Sequence, residues 1–523
     1  MISQAGFSPV RQRLSLFFES LLWSITFFGF CYFSPSSATA KPKIGLELVA
    51  SHERARFVAV NGSDNNPGTI DRPWATINYA AERAKAGQTV VIRGGHYILP
   101  AQVRPRNSGR PNAWITFIGY PGEKPVLDGQ SVQRASFAHG PLNDGAFQIE
   151  NVSYIRVANL AVINSHDAGI TIRDSSHIDV INNSTKGTAS SGIAVWDTNH
   201  DDKGTEHIRI IGNTITKATI WDLAPPGMPR GGEPPHEALS IGGAVDFEVA
   251  YNHVYDSDKE GIDIKETSKR GKVHHNLVHH VARQGIYVDA WFGELNDVEI
   301  FSNAVYACHG AGLVLSAENG KSVQTVNIYN NLIFNNDGSG LLFSRWGVDN
   351  ARSNIRIANN VFYHNGYGTP SAGQAYYWLT GGLYLYSANV SNISIEKNVF
   401  SDNRGFQIGY SDLYLRDGRS WQEVKQSKQI QITKNLIDGR NTIGSPIESG
   451  GQPADQVKIY AANGDRAIFG NPLFKDPTNQ DFSLARGSPA AQLAPSVSTR
   501  ASSPRPWWKG VFPPKLVSIR IRN

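Results

Sequence analysis

Between Glu237 and Glu318 acids, a lysine and a tyrosine recur at regular intervals. The segments are HEALSIGG, KEGIDIKE, QGIYVDAW and GAGLVLSAE. In each, a small residue (Ala238, Gly261, Gly285, Gly312) precedes a run in which every second side chain is apolar. That period of two belongs to a half-buried strand, so the polar side chains between the apolar ones share a face. Stacked strands of this kind bring Glu237, Glu260, Asp263, Lys265, Tyr287 and Asp289 together on one outer surface. Carboxylates gathered beside a lysine can hold a cation or move a proton.

What must position them is a repeat. Aligned on one Asn, ten units read YIRVANLAV, HIDVINNST, HIRIIGNTIT, FEVAYNHVY, GKVHHNLVH, VEIFSNAVY, VNIYNNLIF, IRIANNVFY, ISIEKNVFS and IQITKNLID. The aligned residues are Asn159, Asn183, Asn213, Asn252, Asn276, Asn303, Asn331, Asn360, Asn398 and Asn435; most steps fall in the twenties, and the longer ones imply inserted loops. Asn tolerates the left-handed backbone of a tight corner, and its amide can bond the Asn of the next coil to form a ladder. One coil cannot bury its own apolar face, whereas a stack can, so the pattern predicts an all-β solenoid. A β-propeller would need about 40 to 45 residues per blade, more than the dominant spacing allows.

The flanks fit this reading. FVAV at 57–60 is a short strand, NGSDNNPGT is turn chemistry, Pro73 to Lys85 has helical periodicity, and TVVIRGGHY opens the next strand. This stretch resembles the N-terminal cap of secreted right-handed parallel β-helix proteins, which implies that fold with an N-terminal capping helix. NPLFKDPTNQDFSLARGSPAAQL resembles their closing segment. The rhythm breaks at two loops, 219–236 and 365–382, whose Trp221, Tyr376, Tyr377 and Trp378 are placed to wall a groove. The expected division is a signal peptide at 1–40, a linker at 41–56, the β-helix at 57–495 and a poorly ordered tail at 496–523, rich in Ser, Arg and Pro.

The leader rests on RQR at 11–13, an apolar run from Leu14 to Phe33, and Ala38-Thr39-Ala40 as a small-x-small cleavage pattern. It implies export to the periplasm, the cell surface or the medium; an uncleaved anchor is the alternative, interrupted by Glu19. No stable membrane span is expected after cleavage. Among 523 residues, only 18% are charged, 50 are Gly and 10% are aromatic, which excludes disorder and a helical bundle. A net charge of +5 without a basic block gives no reason to expect nucleic acid. Cys31 leaves with the leader, so Cys308 has no internal disulfide partner and reads as a buried apolar residue. His274, His275, His279 and His280 straddle a turn and read as corner and surface residues, not a zinc site.

With the small residue as register mark, three outward columns follow. They are Ser191, Glu237, Glu260, Gln284; then Ala194, Ser240, Asp263, Tyr287, Val314; then Trp196, Gly242, Lys265, Asp289, Ser316. Glu237, Glu260 and Asp263 are adjacent, an oxygen-rich set that suits Ca²⁺. The arrangement resembles the pectate lyases of polysaccharide lyase family nine, in which one acid is followed on the next coil by Asp-Asp-Gly-x-Asp. Here Glu237 stands first and Lys259-Glu260-Gly261-Ile262-Asp263 second, with Lys259 in place of a carboxylate. The resemblance implies a parallel β-helix acting on an acidic polysaccharide, probed through Ca²⁺ on Glu237, Glu260 and Asp263 and a basic residue that removes the C5 proton. The family's catalytic Lys falls where this chain has Tyr287.

The base is therefore open among Lys265, Tyr287 and Asp289, with Lys265 alternatively paired to Asp289 in its column. Arg283 or Arg345 would neutralise the uronate, and Trp291 and Trp346 would offer sugar-stacking surfaces. The expected protein is a monomeric, exported lyase of an acidic polysaccharide. The alternatives are a glycoside hydrolase using Asp289 with Asp263 or Glu318, the backbones of Asp263 and Asp289 being roughly 8 Å apart on the strand lattice, and a glycan-binding solenoid without catalysis.

Overall fold

The computed structural model describes residues 54–133, 143–201, 203–220, 236–368, 380–439 and 457–491, His139 and Leu493, and the backbone of 46–51 and 517–522. Residues 44–523 form one compact unit. The predicted leader, Trp221, Tyr376, Tyr377 and Trp378 lie outside the described residues. Among the described residues no helix is long and apolar enough to cross a membrane.

Alternating Val and Ile make strands whose branched side chains pack on a pleated surface. Three sheets result, of eleven, thirteen and thirteen strands. One turn of the chain shows how they are filled: Ile262–Lys265 on the first face, Lys269–His274 on the second and Leu277–Val281 on the third. The next strand, Ile286–Asp289, returns to pair in parallel with Ile262–Lys265. The chain is thus the predicted parallel β-helix. Ile262, Ile264, Val273 and Val278 point inward and are fully buried in one core, each such side chain contributing about 1.5–3 kcal/mol.

A ladder of buried amides fixes the register of the coils. From Asn183 through Asn213, Asn252, Asn276, Asn303, Asn331, Asn360 and Asn398 to Asn435, each Nδ2 donates to Oδ1 of the Asn one coil on. The same Oδ1 also accepts a backbone N–H, as Asn276 Oδ1 does from Asn252 N at 3.0 Å. Two details differ from expectation. The left-handed residue is the one before the ladder Asn, such as Tyr251, His275 or Ser302, so the amide is free to face the core. For the same reason Asn159, with φ of 57°, stands outside the ladder and accepts from Asn182 instead, while Leu160 N bonds Asn183 Oδ1. A second, shorter ladder runs from Asn336 through Asn365 to Asn403.

The cap helix is Ile77–Arg83, shorter than 73–85, because Trp74 is held extended by bonds from Trp74 N to Phe57 O and from Ala59 N to Trp74 O. Thr76 caps it by accepting from Tyr79 N, and Ile77, Ala80 and Ala81 cover the first coil. A second helix, Trp421–Lys428, was not anticipated, although its capping box of Ser420 and Glu423 is visible in SWQE. The linker and tail need correction. The β-helix begins at Ala55, and Leu46–Ser51 pairs in parallel with Val517–Arg522, whose alternating VSIRIR has the period of a strand. Cys308 is buried and free as expected, its thiol pushed up to about 12 by burial. His274, expected at the surface, is buried and stacks on Phe301, while the half-buried His279 stacks on Tyr306.

Candidate functional site

Two of the three predicted columns are the observed register. Ala194, Ser240, Asp263, Tyr287 and Val314 pair in succession, as do Trp196, Gly242, Lys265, Asp289 and Ser316. Small residues make this stacking possible: a Cβ on Gly261 would lie 2.6 Å from Gly285 O, and one on Gly285 2.8 Å from Gly312 O. The face is not an open surface, however. A cleft of about 510 Å³ opens over it. Within it Glu237 and Glu260 are each 5% exposed, Lys265 7%, and Asp263, at 1%, lies beneath the lining. Alternation tells which side chains share a face but not how deeply neighbours cover it.

Glu237 is the hub. Its Oε2 accepts from Lys265 Nζ at 3.0 Å and from Ser240 Oγ at 3.0 Å, and its Oε1 from Lys265 at 3.2 Å and Lys259 at 3.4 Å. Burial alone would raise its pKa, but the two ammonium groups outweigh that and hold it well below the usual carboxylate range. Lys265 also lies 3.5 Å from Asp263 Oδ2. Burial favours the neutral amine, yet Glu237 and Asp263 overcome it and raise the lysine's pKa well above its ordinary value. Asp263 moves upward, first through burial and then through the charge of Glu237. Lys265 is thus committed to Glu237 and Asp263 and not to Asp289, because a long side chain reaches across columns.

Asp289 is raised well above its ordinary value by burial and then by Glu318, and its Oδ1 has no hydrogen-bond partner within the protein. Tyr287 donates to Glu318 Oε1, and burial followed by Asp289 and Glu318 keeps its proton in place. Arg283 lines the cleft with its Nη1 3.6 Å from Glu260 Oε1. Trp291 and Trp346 line it too, Trp346 edge-on to Tyr287 at 5.7 Å between ring centres. Arg345 is the predicted residue that departs: it turns to Asp349 at 3.5 Å and over the Tyr386 ring.

Four lining residues, Asn143, His236, Glu266 and Phe292, were not selected from the sequence. Glu266 directly follows Lys265 at a left-handed corner, with φ of 66°, and burial pushes its carboxyl up to about 7. His236, one residue before Glu237, is pushed down to about 3 by burial; its Nε2 is 3.1 Å from Asn143 Oδ1 and its ring packs edge-on to Trp196. Trp196 heads the third column, and Phe292, beside Trp291, stacks on His200 at 4.1 Å. Adjacency to residues already selected was the available signal for all but Asn143. The assembled cleft offers fixed cations, carboxyls that burial makes easier to protonate, and aromatic walls.

The donor set fits Ca²⁺ poorly. Ca²⁺ takes six to eight oxygen ligands, and here ammonium groups stand against the oxygens of Glu237 and Asp263. Among the described residues, the one group of three or more acid, His or Cys ligand atoms lying within 4.8 Å of one another is Glu206, His207 and Asp246, on the second face.

Known proteins share features of this chain. Residues 144–325 and 319–417 match the family described as right handed beta helix region, and residues 56–216 match Pel9A-like, right handed beta helix region. The uncharacterized protein YwoF of Bacillus subtilis (strain 168) is 29% identical over 480 residues, 83% of this chain and 91% of its own length. Pectate lyase PEL9 of Emericella nidulans is 30% identical over 112 residues, 21% of this chain and 27% of that enzyme, so the match spans about a quarter of it. Among solved structures, pectate lyase Pel9A aligns at 16% identity over 67% of this chain and 80% of its own, with a TM-score of 0.36.

Proposed function

The chain belongs to the right-handed β-helix family, and from that premise we propose that it is an exported enzyme that cleaves an acidic, uronate-containing polysaccharide by β-elimination. The Pel9A-like match and the pectate lyase relative support a polysaccharide substrate. The match ends at residue 216 and takes in Asn143 and Trp196 of the lining but none of the cleft's acids or bases, so the reaction has to be argued from those residues themselves.

The observation that carries it is the placement of Asp289. This buried carboxyl has an unpartnered oxygen in a cleft that also holds Arg283, Lys259 and Lys265, and it shares a strand face with Tyr287. β-Elimination needs the uronate charge offset so that its C5 proton becomes acidic, a base to take that proton, and an acid for the departing oxygen. Arg283, with the two lysines behind it, supplies positive charge. Lys265 is held protonated by its carboxylates and serves as a fixed cation, not as the base. Asp289, made more basic by burial and by Glu318, takes the proton in its ionised form. Tyr287 keeps its proton on the bond to Glu318 and gives it to the leaving oxygen. The C5–H and C4–O bonds break and a C4–C5 double bond forms; the proton taken by Asp289 then restores the Tyr287 phenol, by way of Glu318 beside it or of solvent.

One observation favours a second reading. Glu266, held at about 7 in the same cleft, has the property of a glycosidase general acid. Incubation with polygalacturonate, alginate and neutral glycans separates the readings. Growth of unsaturated-uronate absorbance on an acidic polymer is expected. New reducing ends without that absorbance would replace elimination by hydrolysis, and retention on a glycan without any product would leave a binding protein.

A further inference from the structure

Three carboxylates in the cleft invite a divalent cation, yet each already faces a basic side chain of the same chain. Glu237 has Lys265 at 3.0 Å and Lys259 at 3.4 Å, Asp263 has Lys265 at 3.5 Å, and Glu260 has Arg283 at 3.6 Å. The three acids Glu237, Glu260 and Asp263 are therefore matched by three bases, Lys259, Lys265 and Arg283. All but Arg283 are nearly sealed from solvent.

We propose that the cation of this site is built into the chain: the ammonium of Lys265, supported by Lys259, neutralises Glu237 and Asp263 where the family resemblance assigns Ca²⁺, and the cleft binds no divalent cation. Charge is the first argument. A divalent cation on Glu237 or Asp263 would have to sit against the buried ammonium groups of Lys265 and Lys259, a like-charge contact that burial penalises heavily. Geometry is the second. Both oxygens of Glu237 are engaged by donors from Ser240, Lys259 and Lys265, and Lys259 stands where the motif would supply a carboxylate. The third is convergence. The unpartnered oxygens on Glu260, Asp263 and Asp289 do not gather with a further acid into a ligand cluster. The proposal stands on this geometry and is independent of the reaction assigned to the cleft.

Isothermal titration of the chelator-treated full chain with Ca²⁺ up to about 10 mM, beyond the range of weak extracellular sites, tests it. The wild type should give no saturable heat and no shift in melting temperature. The paired substitution Lys259→Asp with Lys265→Met should create one saturable site per chain and make the melting temperature rise with Ca²⁺. One-site binding by the wild type that Glu237→Gln abolishes would overturn the proposal. So would a folded double variant that gains no Ca²⁺, since the lysines would then not be occupying the cation's place. Should the double variant not fold, the wild-type titration decides alone.

Discussion

Asn252 and Asp263 lie on neighbouring coils, and both are sealed from solvent, at 0% and 1% exposure. Asn252 spends its whole amide: Nδ2 donates to Ile210 O and Asn276 Oδ1, and Oδ1 accepts from Asn213 N and Nδ2. Asp263 is held by an ion pair of its Oδ2 with Lys265 at 3.5 Å, and Glu260 Oε2, Glu266 Oε2 and Asp289 Oδ1 around the cleft have no hydrogen-bond partner. An unmatched buried polar atom costs about 1–3 kcal/mol. A fold that satisfies one row of amides coil after coil and leaves a neighbouring row of carboxyls short of partners has separated stability from chemistry. The ladder holds the coils in register, and around the cleft carboxyl oxygens are left without hydrogen bonds from the fold.

Substitutions should divide along that line. The largest effect is expected from Asp289→Asn, which keeps shape but removes the base: turnover should fall about 10²–10⁴-fold while circular dichroism and melting temperature stay at wild-type values. A parallel loss of folding would place Asp289 with the ladder instead. Next is Glu266. Its carboxyl, ordinarily near 4.5, is held at about 7 in the fold, so the native state binds the extra proton. Stability should therefore fall by about 3 kcal/mol as pH rises from 4.5 to 7 and be unaffected by this group above that. Denaturant unfolding across that window should show the decline, and Glu266→Gln should flatten it. A smaller change is expected from Asn276→Ala, which orphans Asn252 N and Nδ2 and should cost about 2 kcal/mol with kcat of the remaining folded enzyme unchanged.

The legible part of the molecule was what a period of two dictates. Slipping a strand by one residue would turn Ile262 and Ile264 outward, so the inward pattern fixes register and, with it, both columns through Asp263 and Lys265. Pairing was less legible. Lys265 reaches Glu237 in a different column, and Arg345 folds back on Asp349, because a flexible side chain chooses among partners by local charge and space that spacing does not encode. The ladder was read one residue early at Asn159, since an Asn in the left-handed position and an Asn facing the core look alike in sequence. Glu266 was passed over because it falls at the end of the alternation, where the corner, and not the strand, aims it into the cleft.

The claim that the cleft eliminates and does not hydrolyse is tested most directly by the oxygen of the cleaved ends. Digestion of a susceptible acidic polysaccharide in water enriched in ¹⁸O, followed by mass spectrometry of the oligosaccharides before exchange at the reducing end, distinguishes the two. Elimination predicts unsaturated products, lighter by one water than their hydrolytic counterparts, with no solvent oxygen at the new ends. Saturated products carrying one ¹⁸O per cleavage would contradict it.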